Sequence, residues 1–206
     1  MGSDNPKVLT PPANKPYDLA EIKAQANVTF NDDDLLLERY GAVAAARVES
    51  YTGRTLLETG YLWVLDSFFP DRCQDFYFQE TPRGEARRPV ILFPKPPLLE
   101  LEGIEIAGVN NFGLADILID TINSRMMPAN GGQWPTPKTD SLARIQINFK
   151  AGYGGSYEQI PVKIRHVINA LAAYYYECRE AFTAIPAKEM PEQFTDLLQE
   201  FRIQAF

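Results

Sequence analysis

The chain has 206 residues, which suffices for one domain with an apolar core and is too short for two large domains. Its formal net charge of −7 disfavours a protein that binds nucleic acid through a broad basic surface, although a local basic patch is compatible with it. Cys73 and Cys178 are its two cysteines, and no stretch has the pattern of a secretory signal or the length of a membrane span. We therefore expect reduced thiols, synthesis in the cytoplasm and no membrane partner.

The N-terminal part of the chain contains a proline-rich stretch followed by a helix signal. Residues 1–16 are polar and contain four prolines, which predicts an extended leader. Asp18 and Glu21 then form a capping-box pattern in front of apolar residues at helical spacing. A short helix is therefore predicted after the leader.

A long helix is predicted over residues 31–53. Asn31 is the expected N-cap, with Asp34 at the capping-box position, and Gly53 is the expected C-terminal stop. The core face is predicted from a 4-3-4-3 spacing and consists of Leu37, Gly41, Ala44, Val48 and Tyr51. The small residues around Gly41 indicate that another helix approaches closely.

The region 60–150 is dominated by strand patterns. Strands are predicted over 61–69, 90–93, 99–106 with a bulge at Gly103, 114–120, and 144–149. The turn residues of 108–113 predict a hairpin whose second strand is 114–120. The tract 71–89 has a possible strand at 76–78 and three basic residues, Arg83, Arg87 and Arg88, and is predicted to be an exposed hairpin or loop.

Helical spacing returns in the last quarter of the chain. A second long helix, expected to pack on the first, starts near Pro161 and has a face formed by Ile164, Ile168, Leu171 and Tyr175. A final segment from Pro191 carries an apolar stripe close to the C-terminal Phe206; the stripe consists of Phe194, Leu197, Leu198 and Phe201.

Together these elements predict an α+β fold. It has a helical core of two long helices plus shorter N- and C-terminal helices, with an inserted antiparallel β-hairpin or small sheet region. The predicted organisation is a single domain over 17–185, placed between the leader 1–16 and a C-terminal segment 186–206. Within that domain, the helical core comprises 17–55 and 160–182, and the β region comprises 60–150.

No pattern of reactive residues predicts an active site. His166 is the one histidine, and no serine or cysteine motif marks a nucleophile near it, so we interpret it as a helix-surface or interface residue. The acidic run 32–34 lacks the spacing and the glycine of a calcium loop. Cys73 and Cys178 have no metal-binding or redox spacing. We therefore expect a protein that is not an enzyme, with no catalytic residue, no metal and no cofactor.

Several pieces, taken in order, resemble the head-to-tail connector (adaptor) proteins of long-tailed bacteriophages and of related gene transfer agents. The pieces are DLAEIKAQANV, DDDLLLERYGAVAAARVESYTGRTLL, PKPPLLELEGIEI, GGQWPTP, RIQINFKAGYG and IPVKIRHVINALAAYYYECRE. They cover most of the chain from about residue 17 to 180, and their order is the order of the family's elements. The set is moderately specific as a series, whereas each piece alone would be weak.

The resemblance implies a structural protein of the virion neck, made in the host cytoplasm. Such a protein forms a ring, usually of about twelve copies, beneath the portal protein, and extends the channel through which DNA passes without specific binding. It also seats a stopper or tail-completion protein. The family's C-terminal segment docks on the portal, which here implies a portal-binding role for residues 191–206 through Phe194, Leu197, Leu198, Phe201 and Phe206.

Other functions are compatible with parts of the sequence. A stopper or tail-completion protein would share the size, the mixed composition and the ring. A DNA-binding packaging factor would use Arg83, Arg87 and Arg88 as its footprint, although on an acidic chain a solvated loop is the favoured explanation of these residues. A small enzyme is the least favoured alternative and would depend on His166.

Overall fold

The structure, a computed structural model, describes residues 6–68, 90–138, 144–178 and 190–203. The helices of this part of the chain are α1 (Leu19–Gln25), α2 (Asp34–Thr52), α3 (Val162–Glu177) and α4 (Glu192–Leu198). The strands are β1 (Lys7–Thr10), β2 (Thr59–Leu65), β3 (Ile91–Leu92), β4 (Leu98–Ile106), β5 (Ile117–Asp120), β6 (Arg125–Pro128) and β7 (Ile145–Ala151). The α+β prediction is confirmed. The tract 71–89, with its possible strand and its three arginines, lies outside the described residues, as does Phe206.

The chain divides into two compact units. The β unit takes its residues from 1–11 and 58–152, and the helical unit takes its residues from 12–57 and 153–204. The β unit thus includes residues of the segment expected as a leader, and the helical unit includes residues of the segment expected as a separate C-terminal element. Whether 17–185 behaves as a single domain stays a prediction.

Two of the predicted helix starts have different outcomes. Asp18 is the N-cap of α1, and its carboxylate accepts a hydrogen bond of 2.7 Å from the Ala20 amide, whereas the carboxylate of Glu21, the other residue of the capping-box pattern, accepts hydrogen bonds from Tyr157 and Asn169. The prediction of Asn31 as the N-cap of the long helix is wrong, because α2 begins after Asp33. Asn31 instead accepts a hydrogen bond of 2.7 Å from the Lys23 Nζ, so its side chain ties the turn before α2 to α1.

The end of α2 follows the prediction. Gly53 has a φ of 72°, a left-handed conformation that residues with a Cβ adopt only with strain, and its amide donates to the Glu49 carbonyl at 2.9 Å. α3 packs on α2, and α1 and α4 pack on this pair. The fully buried aliphatic residues of the resulting core include Ile22, Leu37, Val48, Leu56, Ile164, Val167, Ile168, Leu171 and Leu198.

The larger sheet of the β unit is antiparallel and has the order β1-β2-β7-β4. β7 lies between β2 and β4 although it is the last of these strands in the chain. Ile145, Ile147 and Phe149 alternate with polar residues along β7 and are fully buried, as the period of two predicts. The register of β4 shifts between Leu101 and Gly103, which confirms the bulge predicted there.

The second sheet has the order β3-β6-β5 and corrects one prediction. The segment 114–120 was expected to return along the preceding strand as a hairpin. Instead, Leu114–Asp116 is a 3-10 helix, and β5 pairs with β6 in a different sheet from β4. β4 has its long pairing with β7, so the turn residues after β4 lead the chain out of that sheet.

Candidate interaction surfaces

A cleft of about 450 Å³ between α1 and α3 contains the polar residues that most resemble a site. At its base, Glu21 Oε2 accepts hydrogen bonds of 2.7 Å from the Tyr157 hydroxyl and 2.7 Å from Asn169 Nδ2. Asn169 Nδ2 also donates to the Tyr157 oxygen at 2.9 Å. Arg165 covers the Tyr157 ring, with its guanidinium carbon 5.2 Å from the ring centroid. These contacts hold α1 on α3.

The protonation chemistry of this cleft is that of a structural network. Burial and the hydrogen bond to the Glu21 carboxylate raise the pKa of Tyr157 above its ordinary value, so the hydroxyl keeps its proton at neutral pH. His166 lies exposed on α3 at the rim, where the sequence predicts a surface residue. The cleft therefore offers a fixed hydroxyl donor and no activated nucleophile.

The apolar stripe of the C-terminal segment is divided between core and surface. Phe194 and Leu198 were expected to be exposed docking anchors, yet both are buried in the core of the helical unit. Leu197 points away from that core and is 42% exposed, and Phe201 is half-buried against the core. Helical spacing explains the division, because residues 194 and 198 share one face of α4 and residue 197 lies beside it.

Backbone contacts also attach the end of this segment to the helical unit. The amide of Ile203 donates to the Thr52 carbonyl at 2.9 Å, and Arg54 Nε donates to the Phe201 carbonyl at 2.6 Å. The Phe194 ring packs edge-on against Tyr174, with 6.3 Å between the centroids. The segment up to residue 203 is thus a part of the folded unit.

The residues predicted to form the contact between the long helices lie in or against the helical core. Leu37, Gly41, Ala44 and Val48 of α2 are buried, and so are Ile164, Ile168 and Leu171 of α3. Tyr51 and Tyr175 are partly buried and pack against the same core. The ring of Tyr175 lies 6.3 Å from that of Tyr40 between centroids, so this tyrosine also joins the two long helices.

Gly41 is the position where a neighbour approaches α2 most closely. A Cβ at this residue would lie 2.7 Å from Cδ2 of Tyr17 and 2.8 Å from Cδ1 of Ile22. The close approach that the small residues predict is therefore made by Tyr17 and α1. Glycine is required here by space.

An exposed part of the β unit is acidic around one lysine. The Lys150 ammonium lies 3.0 Å from Glu102, 3.8 Å from Glu100 and 4.0 Å from Glu58. The hydrogen bond that the Lys150 ammonium donates to Glu102, together with the charges of the three carboxylates, raises the pKa of Lys150. Three carboxylates around one ammonium leave an excess of negative charge, which disfavours contact with phosphates.

The hairpin between β5 and β6 was not predicted. Asp120 closes its turn by accepting hydrogen bonds from the Asn123 amide at 3.1 Å, from Asn123 Nδ2 at 2.8 Å and from Arg125 Nε at 2.8 Å. These donors lower the pKa of Asp120 to about 2. The sequence does contain a signal for this hairpin, because Asn123-Ser124 is a pair of turn residues between two apolar runs.

The described residues contain no group of three or more His, Cys, Asp or Glu side chains that could hold a metal ion. Within the same ranges, no helix has the length and hydropathy needed to cross a membrane. The arginines proposed as a nucleic-acid footprint belong to the tract 71–89, which those ranges exclude.

Residues 16–76 match the family model described as Phage gp6-like head-tail connector protein. The resemblance to head-tail connector proteins is confirmed. The matched segment contains α1, α2 and β2, which supply parts of both units. No curated protein matches the chain.

Solved structures with the same fold come from gene transfer agent particles. The chain aligns over 98% of its length with 97% of a chain from the neck of an empty particle computed with C6 symmetry, at a TM-score of 0.69 and 20% identity. A chain from the neck of a native particle computed with C12 symmetry gives a TM-score of 0.65 at 20% identity, with the same coverage of both chains. A chain from the virion of a native gene transfer agent particle gives 0.68 at 22% identity, again covering 98% and 97%. This chain and those three chains share a fold along nearly their whole lengths.

Proposed function

We propose that this protein is a structural component of the neck of a tailed phage or gene transfer agent particle, where it forms a ring beneath the portal. One observation carries the proposal: the segment that matches the connector family lies within a chain whose whole length has the fold of a neck protein. In this role the ring extends the DNA channel and seats a stopper or tail-completion protein. The protein acts through its surfaces and catalyses no reaction.

A ring of twelve copies is the assembly we propose. The structural relatives come from necks computed with C6 and C12 symmetry, and twelve copies satisfy both operators. A closed ring requires heterologous contacts, in which two different surfaces of one protomer meet those of its two neighbours. Two units of different character provide such surfaces.

The charge of the chain suits a channel that DNA must leave freely. A net charge of −7 per copy repels phosphates, and the carboxylates around Lys150 place part of this charge on the surface of the β unit. DNA would then pass through the ring without being bound by it.

We further propose that the C-terminal segment contributes to portal docking through its outward-facing residues. Leu197 and Ile203 are exposed there, at 42% and 38%, whereas Phe194 and Leu198 are already covered by their own chain. Leu197→Asp should lower incorporation into particles without changing the thermal midpoint, because the side chain lies outside the core. Val162→Asp, at another exposed apolar residue of the helical unit, is the matched control. Normal incorporation of Leu197→Asp would contradict docking through this face.

The copy number in purified particles tests the proposed function. Quantitative mass spectrometry of particles from cells that carry this gene should find about one copy of the chain per copy of portal, since two rings of equal symmetry meet face to face. Absence of the chain from particles, or a small fraction of one copy per portal, would contradict a neck role.

A further inference from the structure

The larger sheet has two edges that no other strand covers in the described part of the chain. Its order, β1-β2-β7-β4, leaves one long side of β1 and one long side of β4 unpaired there. All four residues of β1 are exposed. Along 99–105 of β4, the backbone makes no hydrogen bond within the described residues other than those to β7. Unpaired amides and carbonyls on a sheet edge are a template for a further strand.

The directions of these two edge strands suit pairing between copies. Each neighbouring pair in the sheet is antiparallel, so β1 runs in the same direction as β7 and opposite to β4. A small rotation about a ring axis brings a second copy alongside and leaves its strand directions nearly unchanged. The β1 edge of one copy therefore meets the β4 edge of the next as an antiparallel pair. Two β4 edges, in contrast, would meet through a two-fold axis.

The two edges carry opposite charges on one face of the sheet. Lys7 lies opposite Leu62, which lies opposite Asn148, and Glu105 lies opposite Gln146, two residues from Asn148 along β7. Lys7 and Glu105 therefore project from the same face, which carries the residues of β7 that are not fully buried. In the described part of the chain, neither of these two side chains has an ion-pair or hydrogen-bond partner.

Charge selects the strand that fits the β4 edge. Glu100 and Glu102 share Lys150 of their own chain, at 3.8 and 3.0 Å, whereas Glu105 has no such cation. Like charges directly opposite each other destabilise a strand pair, so a second acidic β4 edge is disfavoured as the occupant. An edge strand with an ammonium on the same face is favoured, and β1 provides one through Lys7.

We infer that β1 of one copy adds to the β4 edge of the next copy, with Lys7 opposite Glu105. The inference rests on the proposed ring, which requires two different surfaces on each protomer. Both edges belong to the β unit, and their pairing joins the larger sheets of all copies into one continuous antiparallel sheet. Main-chain hydrogen bonds supply the affinity of such a contact, and the ion pair fixes its register.

A charge exchange tests the pairing in full-length protein. Lys7→Glu and Glu105→Lys should each lower incorporation into particles by about three- to tenfold, since each places like charges opposite each other in every contact of the ring. The double variant should incorporate within about twofold of wild type, because the attraction returns with its signs exchanged. Both residues are exposed, so the thermal midpoint should stay at the wild-type value.

Lys138→Glu is the matched control for the charge exchange. It makes the same change of charge at an exposed lysine of the β unit that lies outside both edge strands, and it should incorporate normally. Single variants of Lys7 and Glu105 that incorporate as well as this control would contradict the pairing. A double variant that incorporates no better than either single variant would contradict it as well.

Cysteine cross-linking tests the register. In a Cys73→Ser, Cys178→Ser background, particles with both Lys7→Cys and Glu105→Cys should give a ladder of covalent multimers on oxidation, because opposite residues of antiparallel strands lie within disulfide reach. Within one chain, β2 and β7 separate the two positions by roughly 14 Å at the usual spacing of strands, so the disulfide forms between copies. Each single cysteine variant, and Lys7→Cys combined with Lys138→Cys, should give no ladder.

The outcomes distinguish the contact from the proposed function. Particles that hold the doubly substituted chain at about one copy per portal but show no ladder would overturn the pairing of β1 with β4 and leave the neck role intact. A covalent dimer from Glu105→Cys alone would indicate that two β4 edges meet, which would also overturn the pairing. Particles without the wild-type chain would overturn the proposed function itself.

Discussion

The helical unit and the β unit are built from the sequence in different ways. In the helical unit, each helix is specified by spacing within its own segment, and the four helices then bury their apolar faces together. In the β unit, β7 completes a sheet with β2, which ends 80 residues earlier at Leu65, while β7 begins at Ile145. Local periodicity therefore determines which residues face inward, whereas the choice of strand partner depends on the whole unit.

The comparison predicts that the stability of the helical unit depends strongly on α4, the last helix in the chain. Phe194→Ala should lower the free energy of unfolding by about 3–5 kcal/mol, because it removes a buried aromatic ring from the core. Leu197→Ala, on the exposed side of the same helix, should change it by less than about 0.5 kcal/mol. Urea denaturation of both variants measures the difference. Equal effects would show that α4 does not pack as described.

The short helix α1 should also prove integral to the helical unit. Gly41→Leu places a side chain where a Cβ alone would lie 2.7 Å from Tyr17, so we expect a loss of about 1–3 kcal/mol from strain. Ala42→Leu, one residue further along α2 and exposed, is the control and should be nearly neutral. A Gly41→Leu variant as stable as the control in thermal denaturation would contradict the packing of α1 on α2.

The polar network beneath the cleft should make the helical unit sensitive to alkaline pH. Because the pKa of Tyr157 is raised in the folded state, its proton is held there at a pH where the unfolded chain releases it. Stability should therefore be unaffected below the ordinary tyrosine pKa and should fall as pH rises above it. Tyr157→Phe should remove this part of the pH dependence and cost about 1 kcal/mol at neutral pH. An unchanged alkaline slope in denaturation experiments would contradict the network.

In the β unit, the smallest predicted effect concerns the turn of the hairpin. The pKa of Asp120 is lowered to about 2, so its ion pair and turn bonds should contribute fully above the ordinary carboxyl pKa and be lost as pH falls through about 2. An NMR titration of the carboxyl group reads this value directly. A midpoint near 3.8, the value for an unperturbed aspartate, would show that the turn is open in solution.

The parts of the fold that could be predicted are those specified within a single segment. The apolar faces of α2 and α3, the alternation of β7, the αL stop at Gly53 and the bulge at Gly103 all follow from spacing and from glycine. The start of α2 could not be predicted in this way, because Asn31 and Asp33 are both residue types that cap helices. In the structure the Asn31 side chain accepts a hydrogen bond from Lys23, eight residues earlier, a contact that spacing within α2 does not reveal.

The candidate surfaces were harder to predict because burial depends on tertiary packing. Considered alone, the apolar stripe of α4 predicts an exposed surface. In the structure, Phe194 and Leu198 are buried in the core of the helical unit. Conversely, Leu35 looks like one more apolar residue of a long helix and is almost fully exposed. Neither outcome is visible in spacing alone, since both faces of α2 carry apolar residues.

The most direct test of the neck role is a cryo-EM map of the particle neck that includes this chain. Our account predicts a closed ring of this protein in contact with the portal. A neck in which the density next to the portal is accounted for by a different protein would contradict it.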